Sequence, residues 1–551
     1  MVLGSLLVSS LTPASGQALS TQPFTAYGSG DAIGLTATGL VGARVATSGG
    51  SVNSGPAGLT APVSNELGLL IQPSTPDKNA FGLGTAIAVP IPPAVTPQVV
   101  LTGLARAFAP PPSPLVLATT TIPLNTLLYA DTARGEAQAT FDPLFCPIGR
   151  PLSFGRGYVE NLELAGTMQA ADGSIQDPLV GLSSPTGTPR ATTQSRTVTF
   201  LTSNGDGTFG VVSETRQTVA PIAIAGTPIT IEIAGEFGFR VAATGKPGGA
   251  SAGYTGNPLI TIKLAGVDLF PPVTLQSITG PTGITTPPVL AALASLSLGA
   301  PPRALRGAVG TTATLAADGT SASGAVDLLR LTLLSNLVDL SVAHMEGAVT
   351  VPAGGIRCQI PVSKVSSVDP VTVGSDFAFT ISIPNDAAFF SSLFNCDLIN
   401  ISAVDRVETA SGSPRIQLLS ASNGGVVSGN TVTFANLGNY TLGQPPILVT
   451  INARIPANSG AGVLRDTVNV SATLGNCRGT GAAGEDIIGS AQINGNAITG
   501  AFTLVGPNVT RGDLAATGGN SWPLVAGGGF LLAALGLVRL RRRAAEIPAQ
   551  G

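Results

Sequence analysis

Ile229, Ile231 and Ile233 alternate with Thr230 and Glu232, giving one apolar and one wet face at a period of two residues. That is the pattern of a strand half-covered by a core, and it recurs along the chain from Val198 onward. Residues 197–201 and 210–213 flank Asn204-Gly205-Asp206-Gly207, turn residues that tolerate positive φ, which predicts a hairpin. Residues 259–264 follow the same rule, and 328–342 read as one longer, more continuously apolar strand. Residues 289–298, set between two proline pairs, read as one short helix, and little else looks helical.

Only 10% of the 551 residues are charged while 44% are hydrophobic, yet few apolar runs reach membrane-spanning length. The apolar content is therefore spread over strands and turns, in two to four domains for a chain of this length. Between 88 and 114 prolines are frequent, including Pro92-Pro93 and Pro110-Pro111-Pro112. Without amide donors this stretch is expected to be extended, at a sheet edge or in a loop, separating a first sheet layer from a second, with Leu101, Leu104 and residues 115–117 packed on something. A boundary falls at 362–370. Beyond it six strand-like segments (377–383, 399–404, 416–419, 431–434, 447–451 and 467–473), separated by turn chemistry, make a β-sandwich the economical solution.

The C-terminus carries a different signal. Leu514-Ala515-Ala516-Thr517-Gly518 precedes a glycine-containing spacer, an apolar run from Trp522 to Val538, and the basic cluster Arg539, Arg541, Arg542 and Arg543. Seventeen residues at ~1.5 Å each span roughly 26 Å, the short end of what a hydrocarbon core requires. Arginines behind the run stay on the cytoplasmic side, so everything before it is expected outside the cell. At the other end, 3–11 are mildly apolar and Gly16-Gln17-Ala18 has small residues at the cleavage positions, but the basic region is missing, so either the true start lies upstream of Met1 or this is an ordinary buried strand; beside an export-type C-terminus, residues 1–18 read as the remnant of a signal peptide.

This tail resembles that of the sortase-sorted surface proteins of Gram-positive bacteria, which end in Leu-Pro-X-Thr-Gly, an apolar helix and a positive tail. Ala515 stands where proline is usual, as in the Leu-Ala-X-Thr-Gly version of actinobacterial substrates. The resemblance implies two partners, a sortase and a peptidoglycan precursor. The sortase cysteine would cleave between Thr517 and Gly518 and pass the threonine carboxyl to a wall amine. Residues 362–510 are similar to the DUF11-type immunoglobulin-like domains of bacterial surface proteins. The residues that carry this likeness are Val371, Gly374, Phe377 and Ile381, Pro384-Asn385, Val432-Thr433-Phe434, Leu437-Gly438, Leu442-Gly443-Gln444 and Asn469, with Pro384 where threonine is usual. The expected order is thus a mostly β chain: signal peptide 1–18, β-rich surface region 26–360, immunoglobulin-like sandwich 362–510, sorting motif and spacer 511–521, one transmembrane helix 522–538 and a basic cytoplasmic tail 539–551.

Four cysteines, Cys146, Cys358, Cys396 and Cys477, are an even number suited to disulfides outside the cell, and their separations exclude a CxxC metal knuckle. Three pairings are open. The domain division favours Cys396 with Cys477 and Cys146 with Cys358.

Chemistry is thinly provided. His344 is the single histidine, in a strand-like segment, and reads as a hydrogen-bonded structural residue. No catalytic, cofactor or metal site is assigned, because a lone imidazole beside bridged cysteines falls short of a zinc ligand set. Without the four tail arginines and Glu546, 27 basic residues become 23 and 30 acidic become 29, a balance unsuited to nucleic acid. Arg511-Gly512-Asp513 abuts the sorting motif and would be pressed into the wall, which argues against display to a receptor. The expectation is a non-enzymatic wall-anchored surface protein, structural or adhesive, that contacts the membrane only in transit. The alternatives are a surface hydrolase with a carboxylate pair and a membrane-tethered binding protein without wall linkage.

Overall fold

The computed structural model describes residues 23–505, apart from 165–179, 183–191, 275–296, 478–490 and further interruptions of six residues or fewer. The sorting motif, the apolar run and the arginine cluster lie outside the described residues, as do residues 1–18. Among the described residues no helix is long and apolar enough to cross a membrane.

Two large antiparallel sheets form the N-terminal body. Sheet I has the order Arg306–Leu315, Ser321–Leu333, Val338–Thr350, Thr25–Ala37, Ala43–Asn53, Ala80–Ile91, Gln98–Thr102, with Ala105–Ala109 also paired to Ala80–Ile91. Sheet II runs from Ser251–Thr255 through Phe237–Ala243, Phe209–Thr218, Thr192–Ser203 and Ser153–Glu160 to Leu128–Ala139, and continues through shorter strands to Leu259–Leu264 and Val267–Asp268. The chain passes from sheet I to sheet II across Pro110-Pro111-Pro112, between Ala105–Ala109 and Ser113–Ile122. It returns to sheet I for its last three strands, and Val338–Thr350 pairs with Thr25–Ala37 over their full length, closing the body.

Several expectations are met. Thr192–Ser203 and Phe209–Thr218 form the hairpin, with Gly205 and Gly207 both at φ 82° in its turn. Ile231 and Ile233 are buried in Ile229–Ala234, and Leu259–Leu264 is a strand paired to it. Others are corrected. Residues 328–342 are not one strand but fall on two antiparallel strands, Ser321–Leu333 and Val338–Thr350, paired from Leu333 opposite Val338; in the sequence the apolar run is broken by Ser335 and Asn336, residue types that disfavour a continuous strand. Of the expected helix 289–298, Ser297–Leu298 is a strand paired with Arg303–Ala304, and 289–296 lie outside the described residues. Of the residues expected to pack beside the prolines, Leu104 and Val116 lie against the core, whereas Leu115 and Leu117 are exposed.

Sheets I and II meet backbone to backbone. A Cβ placed on Gly155 would lie 1.8 Å from the carbonyl oxygen of Leu83 and 2.5 Å from that of Gly49, and one on Gly84 would lie 2.2 Å from the carbonyl of Arg156. Only glycine permits this approach. Beside these glycines hydroxyl side chains pair across the seam: Ser48 Oγ meets Ser195 Oγ and Thr197 Oγ1 at 2.8 Å each, and Ser153 Oγ meets Thr199 Oγ1 at 2.6 Å. Gln217 closes one end, donating to Ser195 Oγ at 3.1 Å and to the His344 carbonyl at 2.9 Å. All six of these side chains are buried.

A second pair of sheets follows. Sheet III has the order Ser363–Ser366, Asp376–Ile383, Ile447–Arg454, Gln417–Ala421; sheet IV has Val371–Thr372, Ala491–Val505, Gly462–Gly475, Asp397–Ser411, Thr431–Phe434, Val426–Ser428. All six segments expected after 370 fall in these strands. Helix α1 (Ala387–Leu393) was not anticipated, although Asp386 caps it by accepting from the Phe389 amide at 2.6 Å.

Replacing Gly155 by alanine drives a methyl group into two carbonyl oxygens of the facing sheet, which predicts a loss of about 2 kcal/mol or more in urea denaturation. An unchanged midpoint would contradict direct backbone contact.

Candidate functional site

The four cysteines pair as Cys146–Cys358 and Cys396–Cys477, both with S–S of 2.12 Å. Such bridges belong to an oxidising environment outside the cytosol. Both lie at the junction of body and sandwich. The loop after Leu128–Ala139 brings Cys146, Ile148 and Arg150 to the end of α1. There the Ile148 amide donates to the Leu393 carbonyl at 3.1 Å, the Asn395 amide donates to the Ile148 carbonyl at 2.9 Å, and Arg150 donates to the Ser391 carbonyl at 2.5 Å. Phe145 meets Phe389 edge to face at 5.7 Å between centroids, and Gly149 lies against the Cys396 sulfur. A loop of the body is thereby stapled to the segment entering the sandwich, directly beside the second bridge.

His344 is buried on the face of sheet I opposite the glycine seam. Its Nδ1 lies 2.9 Å from Asp327 Oδ1 and its Nε2 lies 3.4 Å from Glu346 Oε2, so both ring nitrogens face carboxylates. Tyr27 donates to Glu346, Ser341 donates to Asp327 at 2.7 Å, and Thr47 donates to Asp31, the register partner of His344, at 2.5 Å. Burial works against the imidazolium, but hydrogen bonds to Asp327 and Glu346 and the fields of Asp327 and Asp31 outweigh it, holding His344 up to about 10. Asp31 is itself pushed up by burial, against its hydrogen bond from Thr47 and the charge of Arg44. Burial and the neighbouring Glu346 raise Tyr27 and keep it neutral. The hydrogen-bonded structural histidine expected from the sequence is what this geometry describes. Of its carboxylate neighbours only Glu346 is close in sequence; Asp327 lies 17 residues away on the adjacent strand, and Asp31 lies on Thr25–Ala37.

The outer face of sheet II carries charge. Arg156, Arg196 and Arg216 lie directly opposite one another on adjacent strands, an arrangement that repels unless neutralised. Glutamates supply the neutralisation. Glu136 contacts Arg134 at 2.9 Å and Arg156 at 3.5 Å, Glu214 contacts Arg216 at 2.6 Å, and Glu236 contacts Arg196 at 3.2 Å. In the sandwich, Lys364, Asp405 and Asp466 form a third charged cluster, with all three side chains fully buried. Sequence reading passed over these three, because nothing in their spacing brings together residues on strands about 40 and 100 positions apart.

No family model matches the chain, and no curated protein matches it. Among solved structures it is similar to a DUF4466 family protein from Parabacteroides merdae, with 15% identity over 26% of this chain and 45% of that one, at a TM-score of 0.14. The chain thus spans under half of that protein, and a likeness at this level carries no argument about fold or function.

Two outcomes follow from these clusters. The folded state holds the His344 proton more tightly than the unfolded chain, so this contribution to stability is complete below the ordinary value of 6.5 and is lost as pH rises through about 10. Raised Asp31 acts in the same direction. Denaturation midpoints should therefore fall between neutral pH and pH ~9, and His344→Gln should flatten the fall; a pH-independent wild-type midpoint would contradict the assignment. Opening Cys146–Cys358 by Cys358→Ser releases a constraint across 212 residues, worth up to about 5 kcal/mol by chain entropy. Thermal melts of the variant should show the loss, and an unaltered Tm would contradict a structural role.

Proposed function

We propose that this chain is a non-enzymatic surface protein anchored to the cell wall, displayed by sortase-type transpeptidation at the Thr517–Gly518 bond. The observation that carries the reading is the order of Leu514-Ala515-Ala516-Thr517-Gly518, apolar run and arginine cluster. The two disulfides at the junction support it, since they suit a chain that keeps its shape outside the cell. In this reading sheets III and IV are a DUF11-like, immunoglobulin-like sandwich next to the wall, and the body formed by sheets I and II is displayed beyond it. The apolar run is a transient single-pass helix, Arg539, Arg541, Arg542 and Arg543 hold its end in the cytoplasm, and a peptidoglycan precursor receives Thr517. The role is structural or adhesive: hydrogen-bonded sheets and the disulfides resist unfolding while the threonine linkage transmits load.

Cell fractionation tests this. Wall-linked protein resists hot detergent and is released by muramidase, and Thr517→Ala should move the protein to the detergent-soluble membrane fraction. Detergent release of the wild type would favour a membrane-tethered binding protein and contradict wall linkage.

A further inference from the structure

Lys364 lies on Ser363–Ser366, the first strand of sheet III, while Asp405 and Asp466 lie on the adjacent strands Asp397–Ser411 and Gly462–Gly475 of sheet IV. The Lys364 amine contacts both carboxyls and stands 4.6 Å from the centre of the Phe379 ring. Asp405 and Asp466 flank the same amine, and burial raises both carboxyls against the pull of the Lys364 charge, with the field of Asp405 adding to the rise at Asp466. The register partners Ile381 of Lys364 and Val468 of Asp405 are buried, as is Phe379. An ion triad in such a place is a poor stabiliser, because desolvating three ionisable groups costs as much as their attraction returns, and apolar residues of equal volume would serve as well. The same three groups are the components of an amide bond: an amine, a carboxyl carbon and a second carboxyl to move protons, held together where water is scarce.

We propose that Lys364 and Asp466 condense to an intramolecular amide, with Asp405 as the proton acceptor. The Lys364 ammonium passes one proton to the Asp405 carboxylate. The freed amine adds to Cγ of Asp466 in its neutral form, which burial favours by raising this carboxyl to about 7. The adduct expels its hydroxyl together with a second nitrogen proton as water, leaving an Nζ–Cγ amide and a protonated Asp405. One N–C bond forms, one C–O bond breaks, and the net charge of the site is zero before and after. No external reagent is needed, since holding the groups in contact supplies an effective concentration of the order of 10⁵–10⁸ M. The bond ties sheet III to sheet IV, so tension entering at residue 364 passes directly to 466 and bypasses the strands between. This inference is independent of how the chain is anchored.

Peptide mapping of the full chain, reduced and digested, tests it. The segment carrying Lys364 should be recovered joined to the one carrying Asp466, at the sum of their masses less one water. Lys364→Ala and Asp405→Asn should abolish the linked species. Asp466→Asn should still yield the identical product, ammonia leaving in place of water, which separates loss of chemistry from loss of fold. Recovery of both wild-type segments unlinked from natively folded protein would overturn the proposal, and a linkage ending at Asp405 would overturn the choice of acceptor.

Discussion

Direct contact between the backbones of sheets I and II governs what every other part of the body can do. Facing sheets ordinarily stand about 10 Å apart with interdigitated side chains between them. Here Gly84, Gly135, Gly155 and Gly157 bring carbonyls of one sheet within reach of the α-carbons of the other, and the space beside them holds mainly short polar side chains, among them Ser48, Ser153, Ser195, Thr197 and Thr199. Glycine loses more backbone freedom on folding than any other residue, a cost offset by close dispersion contact and by buried hydroxyl hydrogen bonds contributing about 1 kcal/mol each. With the seam filled in this way, larger and charged groups move to the opposite faces. His344 with its carboxylates lies behind sheet I, and the arginine rows lie behind sheet II.

The sandwich is joined to this body by more than a linker. One loop of sheet II reaches the end of α1, and Cys146–Cys358 fixes it to the segment that enters sheet III. Cys396–Cys477 joins two neighbouring strands of sheet IV at the same junction. Force applied between body and sandwich therefore meets covalent bonds before it meets strand pairing. Lys364 lies farther along the same path, on the first strand after the junction, and meets Asp405 and Asp466 of sheet IV.

Strand positions were legible because apolar alternation and turn chemistry are local. The hairpin around Asn204-Gly205-Asp206-Gly207, strand 259–264 and the six segments of the sandwich all follow from windows of a few residues. The faces were less legible. In Thr192–Ser203 an apolar core would claim Val198 and Phe200, yet Ser195, Thr197 and Thr199 point into the seam and Phe200 lies beneath Arg240 on the far side. Nothing in one strand reveals that its partner sheet offers glycine. The cysteine pairs were within reach because only three pairings existed and the division at 362–370 ranked them. The buried charges were not, since Lys364 meets Asp405 and Asp466 only after two sheets have packed. Helix α1 had a local signal, Asp386 three residues before Phe389, masked by its strand-rich surroundings.

The proposed wall anchoring makes the sharpest demand on the mature chain. Mass spectrometry of its C-terminal peptide, taken from muramidase-released material, should find Thr517 as the last residue, bound through its carboxyl to a peptidoglycan fragment. A mature chain that retains Arg539, Arg541, Arg542 and Arg543 and carries no peptidoglycan would contradict the account.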